Sequence, residues 1–249
     1  MFTLTTHTIQ KYLQKNKQQK IKKSSGLDKL HSSTPNSKEN LLFKKESKNK
    51  LKRKLKILID KKDVLKVYNL FLILRKAIKN PSLEYGYVRT KSGNVIKLKR
   101  DEKNHLVFSD DLIKEGKEKG LHTSIHNHPQ GTTPLSSPED IRSYAEYWIK
   151  YGVSTNERGI CRVKNKNKHA LTETQSTKLE EKLTNIKKQM KKEFHEYLKK
   201  EGIDWKEYKK KDKSKYNREL NDFVDENIDR YVPMYQKVLN EYNMEITFI

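Results

Sequence analysis

The feature that most constrains this chain is a pair of histidines, His126 and His128, placed two positions apart in a run with β-forming character. On a strand, this spacing points both imidazoles to the same face. A turn containing glycine and proline follows, and residues 137–140 (Ser-Pro-Glu-Asp) then have the composition of a helix start, with proline at the first helical position. The sequence therefore predicts a strand, a loop and a helix that bring two imidazoles and a carboxylate together.

These groups are the ligands of a candidate metal site. Two histidines and one aspartate, namely His126, His128 and Asp140, supply three protein ligands. Three ligands leave one tetrahedral position for water, which is typical of a catalytic zinc site. An ordinary helix cap would also explain Ser137 and Asp140 without any metal. The two interpretations are compatible, because a cap fixes the backbone while the carboxylate can still face outward.

The run His-Asn-His-Pro at residues 126–129, with Gly131, Ser137 and Asp140, resembles the JAMM (JAB/MPN) zinc metalloprotease motif. The form of the motif is similar to the RadC and phage-associated prokaryotic branch, and the resemblance covers roughly residues 62–170. It implies a cytidine-deaminase-like α/β fold, in which a mixed sheet is flanked by helices. It also implies that the two histidines and Asp140 hold zinc, that Ser137 supports an oxyanion, and that a glutamate on an earlier strand is the base.

The spacing of this motif departs from the family pattern and leaves an alternative ligand open. Seven residues usually separate the second histidine from the serine, whereas eight separate His128 from Ser137. Counting to Ser136 restores seven, but Glu139 then takes the ligand position. We prefer Asp140 because this choice keeps an aspartate as the ligand.

Glu84 is the glutamate that best fits the role of base. Residues 83–90 and 95–98 are rich in β-formers and flank a Gly-Asn turn, which predicts a β-hairpin whose first strand Glu84 opens. By strand parity Glu84 shares a face with Gly86, which would let that face approach the site closely. Glu102, in a polar turn, is the alternative base.

Charge and composition divide the chain into three parts. The 249 residues carry a net charge of +23, with 33% hydrophobic and 35% charged residues. Residues 1–60 contain 16 Lys and Arg against 4 Asp and Glu, a balance of +12, and are predicted to be a basic, largely disordered arm. Residues 61–170 are predicted to form the metal-binding domain. Residues 171–249 are predicted to be a helical extension that ends in an edge strand.

The positive balance favours an anionic partner, most simply nucleic acid bound without sequence preference by the N-terminal arm, and a tail and surface that only keep the protein soluble are the alternative explanation. The arm contains few aromatic residues, so base stacking is not expected there. Two functions follow. The first is a zinc-dependent hydrolase that cleaves a peptide or isopeptide bond in a protein or peptide substrate. The alternative is a nucleic-acid-associated RadC-like or phage or mobile-element protein whose JAMM-like domain is not a protease.

Several features bear on the location of the protein. No apolar run approaches the length of a membrane span, and the first ten residues lack the apolar core of a signal peptide. Cys161 is the only cysteine, which excludes an intramolecular disulfide and a cysteine-based zinc finger. A cytoplasmic protein is therefore expected.

Apolar spacing predicts further elements around the site. Helices are expected at 63–79, at 110–119 before Gly120, and from the Ser-Pro-Glu-Asp run to about Tyr151. Short strands are expected at 153–155 and 160–163. His122 has the same strand parity as His126, so it is a candidate to support the metal ligands. In the C-terminal part, the expected buried stripe runs from Leu179 to Tyr197.

Overall fold

A mixed β-sheet organises the part of the chain that the structure, a computed structural model, describes: residues 48–102 and 105–249. Its six strands lie in the order β2-β1-β5-β6-β7-β8, and a separate hairpin is formed by β3 and β4. β5 and β6 are parallel and the other neighbours are antiparallel. The strands are β1 (Gly86–Thr90), β2 (Val95–Lys97), β3 (Lys99–Arg100), β4 (Leu106–Val107), β5 (Leu121–Asn127), β6 (Ile149–Thr155), β7 (Ile160–Asn165) and β8 (Met244–Phe248).

Eight helices flank this sheet within the described residues, which confirms the α/β class predicted from the sequence. They are α1 (Lys48–Leu58), α2 (Val64–Ala77), α3 (Asp110–Lys119), α4 (Pro138–Glu146), α5 (Glu173–Lys200), α6 (Trp205–Lys211), α7 (Lys213–Glu226) and α8 (Ile228–Asn240). A search of this part of the chain finds no helix with the length and apolar character needed to cross a membrane.

Helices α1 and α2 cover one face of the sheet. Leu51, Leu55 and Leu58 recur at helical spacing on α1 and are buried together with Ile125 of β5 and Val153 of β6. Residues 48–58 were predicted to belong to a disordered arm, and that expectation is wrong for this segment. Its charged residues dominate the composition, but a stripe of three leucines is enough to bury one side. The rest of the predicted arm, residues 1–47, lies outside the described residues.

The other face is covered by α3, α4, α5 and α8. The stripe predicted from Leu179 onward is buried as far as Phe194, whereas Tyr197 is 47% exposed and Leu198 takes its place in the core. The predicted strand near the C-terminus is present as β8, which pairs with β7 in an antiparallel register. The segment expected to be a helical extension therefore shares one apolar core with residues 61–170.

The helix that follows the histidine pair ends earlier than its spacing predicted. α4 stops at Glu146, and Trp148 adopts a positive φ of 46° that turns the chain directly into β6. β6 then includes Tyr151, which we had expected to end the helix. Parallel pairing of β6 with the buried strand β5 outweighs the local helical pattern, as tertiary context commonly does.

His122 does not share the face of His126, contrary to its strand parity. The register of β1 and β5 shifts where Arg89 pairs with Thr123 while Thr90 pairs with Leu121, so His122 is the extra residue of a β-bulge. The bulge turns its imidazole to the opposite side of the sheet, where Nε2 lies 3.1 Å from Oδ1 of Asp63. His122 therefore does not support the metal ligands.

Asp63 is the centre of a buried charge network beneath α1 and α2. Its Oδ2 lies 2.7 Å from Nζ of Lys150, and its side chain is only 3% exposed. Burial alone would raise the pKa of Asp63, but hydrogen bonds from Lys150 and His122 outweigh burial and hold it below the ordinary value. The ionised carboxylate is thus favoured by folding.

Asp63→Asn should lower the free energy of unfolding by about 3 kcal/mol at pH 7, because it leaves Lys150 with a weakened buried partner. Because folding lowers this pKa, the stabilisation is present above about pH 4 and is lost as the pH falls toward the lower folded value. Urea denaturation at pH 7 and pH 3 should therefore show a difference that shrinks at pH 3. The exposed control Glu181→Gln should change stability by less than about 0.5 kcal/mol. A difference of equal size at both pH values would contradict the charge-based explanation.

Candidate metal centre

Strand β5 and helix α4 deliver the three predicted ligands to one place. His126 lies on β5 and His128 follows just past its end, while Asp140 is the third residue of α4. Ser137 caps this helix: its Oγ accepts from the Asp140 N–H at 3.0 Å, and Oδ2 of Asp140 accepts from the Ser137 N–H at 2.9 Å. The capping interpretation is confirmed, and the same cap orients Asp140 toward the histidines.

The three candidate ligand residues form a triangle in which each histidine lies nearest to a different oxygen of Asp140. Nε2 of His126 lies 3.0 Å from Nε2 of His128 and 3.5 Å from Oδ1 of Asp140, and Nε2 of His128 lies 3.4 Å from Oδ2 of Asp140. Ligands held about 2.0–2.1 Å from a tetrahedral zinc ion lie roughly 3.3–3.4 Å from one another. The closest contacts within the triangle are therefore near the spacing of ligands around one zinc ion, and among the described residues these three form the one group able to hold a metal.

A backbone carbonyl orients His128 for metal binding. Its Nδ1 donates to the carbonyl of Thr133 at 2.8 Å, so Nε2 keeps its lone pair toward the triangle. Such a partner fixes both the tautomer and the ring orientation of a ligand histidine. Thr133 was not predicted from the sequence, since any residue type can supply a backbone carbonyl.

The charges of the triangle are coupled. Burial alone would raise the pKa of Asp140, but the two histidines outweigh it and hold this pKa well below the ordinary value, so the carboxylate is ionised. Burial would likewise lower the pKa of His128, but Asp140, the Thr133 carbonyl and Glu84 together raise it. A positive charge beside Asp140 is therefore favoured at this site.

Glu84 lies at the same cleft as the triangle. It precedes β1 by two residues instead of opening the strand, and it lines the cleft together with both histidines, Ser137 and Asp140. Gly86 pairs with His126, which brings the preceding residues alongside the end of β5. A Cβ on Gly86 would lie 2.6 Å from Cδ1 of Leu106 and 2.9 Å from Cδ1 of Leu98, so a larger residue would require these two side chains to move. Glu102 is exposed and does not line the cleft.

Asn127, the residue between the histidines, holds the segment that carries Glu84. Its Oδ1 accepts from the Tyr85 N–H at 2.8 Å, and its Nδ2 donates to the Leu83 carbonyl at 2.9 Å. These two bonds clamp the backbone on both sides of Glu84. Sequence reasoning missed this role, although alternation along the strand already placed Asn127 on the face opposite its neighbours.

The cleft beside the triangle has a volume of about 1120 Å³, and helices α5, α6 and α7 form its far wall. Arg158 anchors this wall through contacts of 2.6 Å to Asp222 and to Asp225 on α7. Gly131 joins the wall to the metal-binding loop: its carbonyl accepts from Asn221 of α7 at 3.1 Å and its N–H donates to Glu157 at 2.9 Å. The C-terminal helices thus complete the site.

Two imidazoles and a carboxylate with a nearby glutamate, all in one large cleft, define a candidate catalytic metal centre. Comparison with known proteins adds no family: no protein-family model matches the chain, and no curated protein or solved structure gives a significant match. The residues of the site therefore form the basis of the functional proposal.

Replacing Asp140 and Glu139 by alanine, one at a time, should show which of the two carboxylates is the metal ligand. Asp140→Ala should lower zinc affinity by more than about 100-fold, beyond the 10–100-fold typical of residues that only support ligands, because it removes one side of the triangle. Glu139→Ala is the matched control: this residue is exposed and not part of the triangle, so zinc affinity should change by less than about threefold. Competition titration with a chelating dye measures both. The reverse order would make Glu139 the ligand.

Proposed function

We propose that this protein is a zinc-dependent hydrolase that cleaves a peptide or isopeptide bond. The observation that carries the proposal is the triangle of His126, His128 and Asp140, whose closest contacts of 3.0–3.5 Å suit one zinc ion, with Glu84 in the same cleft. Three protein ligands leave one position for water or substrate, as catalytic zinc sites require.

The side chains around the triangle have separate roles in this reaction. Zinc would supply a bound water with a pKa near 7 and would polarise the substrate carbonyl. Glu84 takes a proton from the attacking water and passes it to the leaving amine. Ser137 lines the cleft, and its hydroxyl would donate to the developing oxyanion, an effect worth roughly 3 kcal/mol per donor. Asn127 keeps Glu84 in position through the backbone on either side of it.

The resemblance of residues 126–140 to the JAMM motif supports the same reaction class. We further propose a cytidine-deaminase-like arrangement for the sheet. Its support is the placement of the ligands on a central strand and on the helix that follows it. The cleft has a volume of about 1120 Å³ and is lined by residues from the sheet side and from the C-terminal helices, which agrees with a protein or peptide substrate.

The test is to purify the full chain, measure bound zinc by elemental analysis, and follow cleavage of a mixed peptide library by mass spectrometry. We expect one zinc per chain and cleavage that stops with a chelator and returns with added zinc. A protein that neither contains zinc nor takes it up on titration would overturn the proposal. If the protein contains zinc but cleaves no peptide or isopeptide bond, the hydrolase proposal is rejected, and the chain is only a metal-binding protein.

A second candidate function is supported by helix α1. This helix carries six basic residues in eleven and no acidic residue, and its buried stripe faces the sheet on the side opposite the metal centre. Such a surface suits the phosphates of nucleic acid, as expected for a nucleic-acid-associated RadC-like or mobile-element protein.

Salt dependence tests this candidate. Removing two exposed charges, Arg53→Gln with Lys56→Gln, should weaken binding to a mixed-sequence DNA duplex and reduce the slope of log affinity against log salt by about 2. Lys188→Gln with Lys192→Gln, two exposed lysines of α5, serves as the equal-charge control. An equal loss of DNA affinity in the two double variants would show that the net charge of the chain, and not helix α1, governs the binding.

A further inference from the structure

Three lysines project from the helical wall toward the cleft of the metal centre. Lys187 and Lys191 lie one turn apart on α5, and Lys209 approaches from α6. Within the described residues, no carboxylate forms an ion pair with any of them, and Lys209 instead lies over the ring of Tyr216 at 5.5 Å. The other cleft-lining residues of α5, α6 and α7 are neutral, so no carboxylate on this wall of the cleft offsets the charge of the lysines.

The metal end of the same cleft carries the opposite charge. Glu84, Glu139 and Asp140 line the cleft beside the histidines, and all three belong to the sheet side or to the start of α4. The cleft is therefore bipolar, with carboxylates around the reacting position and ammonium groups on the opposite wall. A polypeptide bound along the cleft would place some of its residues beside the carboxylates and others beside the lysines.

We propose that the cleft selects an acidic polypeptide segment, whose carboxylates pair with Lys187, Lys191 and Lys209 while neutral residues occupy the metal end. This inference rests on the proposed hydrolase function and defines its substrate class. The lysines lie on the helical wall and are not among the candidate metal ligands, so we assign them to specificity and not to proton transfer.

The spacing of the lysines favours acidic residues at alternate positions. Residues four apart on a helix have Cβ atoms about 5–6 Å apart, as Lys187 and Lys191 do on α5. In an extended chain, side chains on one face are separated by two residues, or about 6.6 Å. An extended segment with acidic residues at every second position therefore matches the lysine pair without bending.

The acidic groups at the metal end favour a polypeptide over a nucleic acid in this cleft. Each nucleotide carries a charge, so a nucleic acid strand that reached the lysines would also place phosphates beside Glu84 and Glu139. Like charges oppose binding, and the charge of these two glutamates and Asp140 together exceeds that of one zinc ion. A polypeptide avoids the conflict because its charged and neutral residues occur in any order.

The test uses the zinc-loaded full chain with Glu84→Gln, which keeps a bound peptide intact. The probe is a fluorescein-labelled peptide with glutamates at alternate positions near one end, compared with the same peptide carrying glutamines. At about 0.15 M salt, fluorescence anisotropy should show the glutamate peptide binding at least tenfold more tightly. Lys187→Gln, Lys191→Gln and Lys209→Gln together should weaken it by about tenfold or more, since exposed ion pairs contribute about threefold each.

A matched triple variant controls for the net charge of the chain. Lys188→Gln, Lys192→Gln and Lys210→Gln remove the same charge from the same two helices at positions that do not line the cleft. This variant should change the affinity by less than about twofold. Replacement of the three cleft lysines by arginine should restore binding, which would exclude a simple loss of fold.

Three results would overturn the inference. The first is an equal loss of peptide affinity in the two triple variants, and the second is equal affinity for the glutamate and glutamine peptides. The third is a single-stranded oligonucleotide whose binding depends on the cleft lysines when binding of the peptide does not. Failure of the hydrolase proposal is distinguished by the zinc content, which is measured on the same samples. Lysine-dependent peptide binding in protein that takes up no zinc would support the cleft assignment and reject the hydrolase.

Discussion

Replacing both His126 and His128 by alanine should abolish stoichiometric zinc binding and, with it, any hydrolysis. Only Asp140 would remain of the triangle, and a single partly exposed carboxylate does not hold zinc in competition with water. Each single substitution should lower affinity by more than about 100-fold, because outer partners of ligands alone account for 10–100-fold. Elemental analysis and competition titration measure the effect directly.

Thermal unfolding gives an independent measure of the same loss. Zinc at 100 times its dissociation constant should stabilise the native protein by about 2.7 kcal/mol and should leave the double variant unchanged. The matched control is His122→Gln, on the same strand, whose side chain contacts Asp63 on the other side of the sheet. This variant should lose stability but keep one zinc per chain. Retention of full zinc by the double variant would place the ligands elsewhere.

Glu84→Gln should keep the metal and the fold but lower turnover by roughly 10²–10⁴-fold, the usual contribution of a general base. Glutamine has nearly the same shape and cannot accept the proton, and Glu84 is not one of the three ligands. Kinetics on a cleaved peptide, with zinc content measured in parallel, separate proton transfer from metal loss. Full turnover in this variant would transfer the role of base to another acid.

Two further variants sharpen this result. Glu102→Gln is the matched control, and it should keep full activity because Glu102 does not line the cleft. Asn127→Ala removes both hydrogen bonds that hold the backbone beside Glu84. It should lower kcat more than it raises KM. Unchanged kcat would show that Asn127 has a structural role only.

The candidate ligands could be predicted from the sequence because they are local. His126, His128 and Asp140 fall on one strand, one loop and one helix start, and each element has its own short-range signal. The period of a strand fixes which side chains face the same way, and a capping box fixes where a helix begins. No distant contact is needed to bring such residues together.

The predictions that were wrong concern features that depend on contacts between residues distant in sequence. Three leucines of α1 are buried only because the sheet offers an apolar face at Ile125 and Val153. The bulge that turns His122 away arises from the pairing of β1 with β5, about thirty residues apart in the chain, which strand parity alone does not reveal. The early end of α4 likewise follows from the pairing of β6 with β5.

The sequence also did not predict which side chains of the helical wall line the cleft. Its apolar stripe was predicted correctly as helix packing, but the direction of Lys187, Lys191 and Lys209 depends on how α5 and α6 pack over the metal centre. Similar lysines occur along both helices and are exposed, so composition does not distinguish those that face the cleft. Only the tertiary structure separates the two sets.

The position of Gly131 offers a structural connection through which the proposed zinc and polypeptide ligands would affect each other's binding. Its two hydrogen bonds, to Glu157 and from Asn221, tie the cleft wall to the loop whose Thr133 carbonyl orients His128. If peptide binding at the wall tightens this loop, it raises the affinity for zinc by some factor. Thermodynamic linkage then requires zinc to raise the affinity for the peptide by the same factor. Two titrations, each performed with and without the other ligand, measure that coupling free energy and must agree.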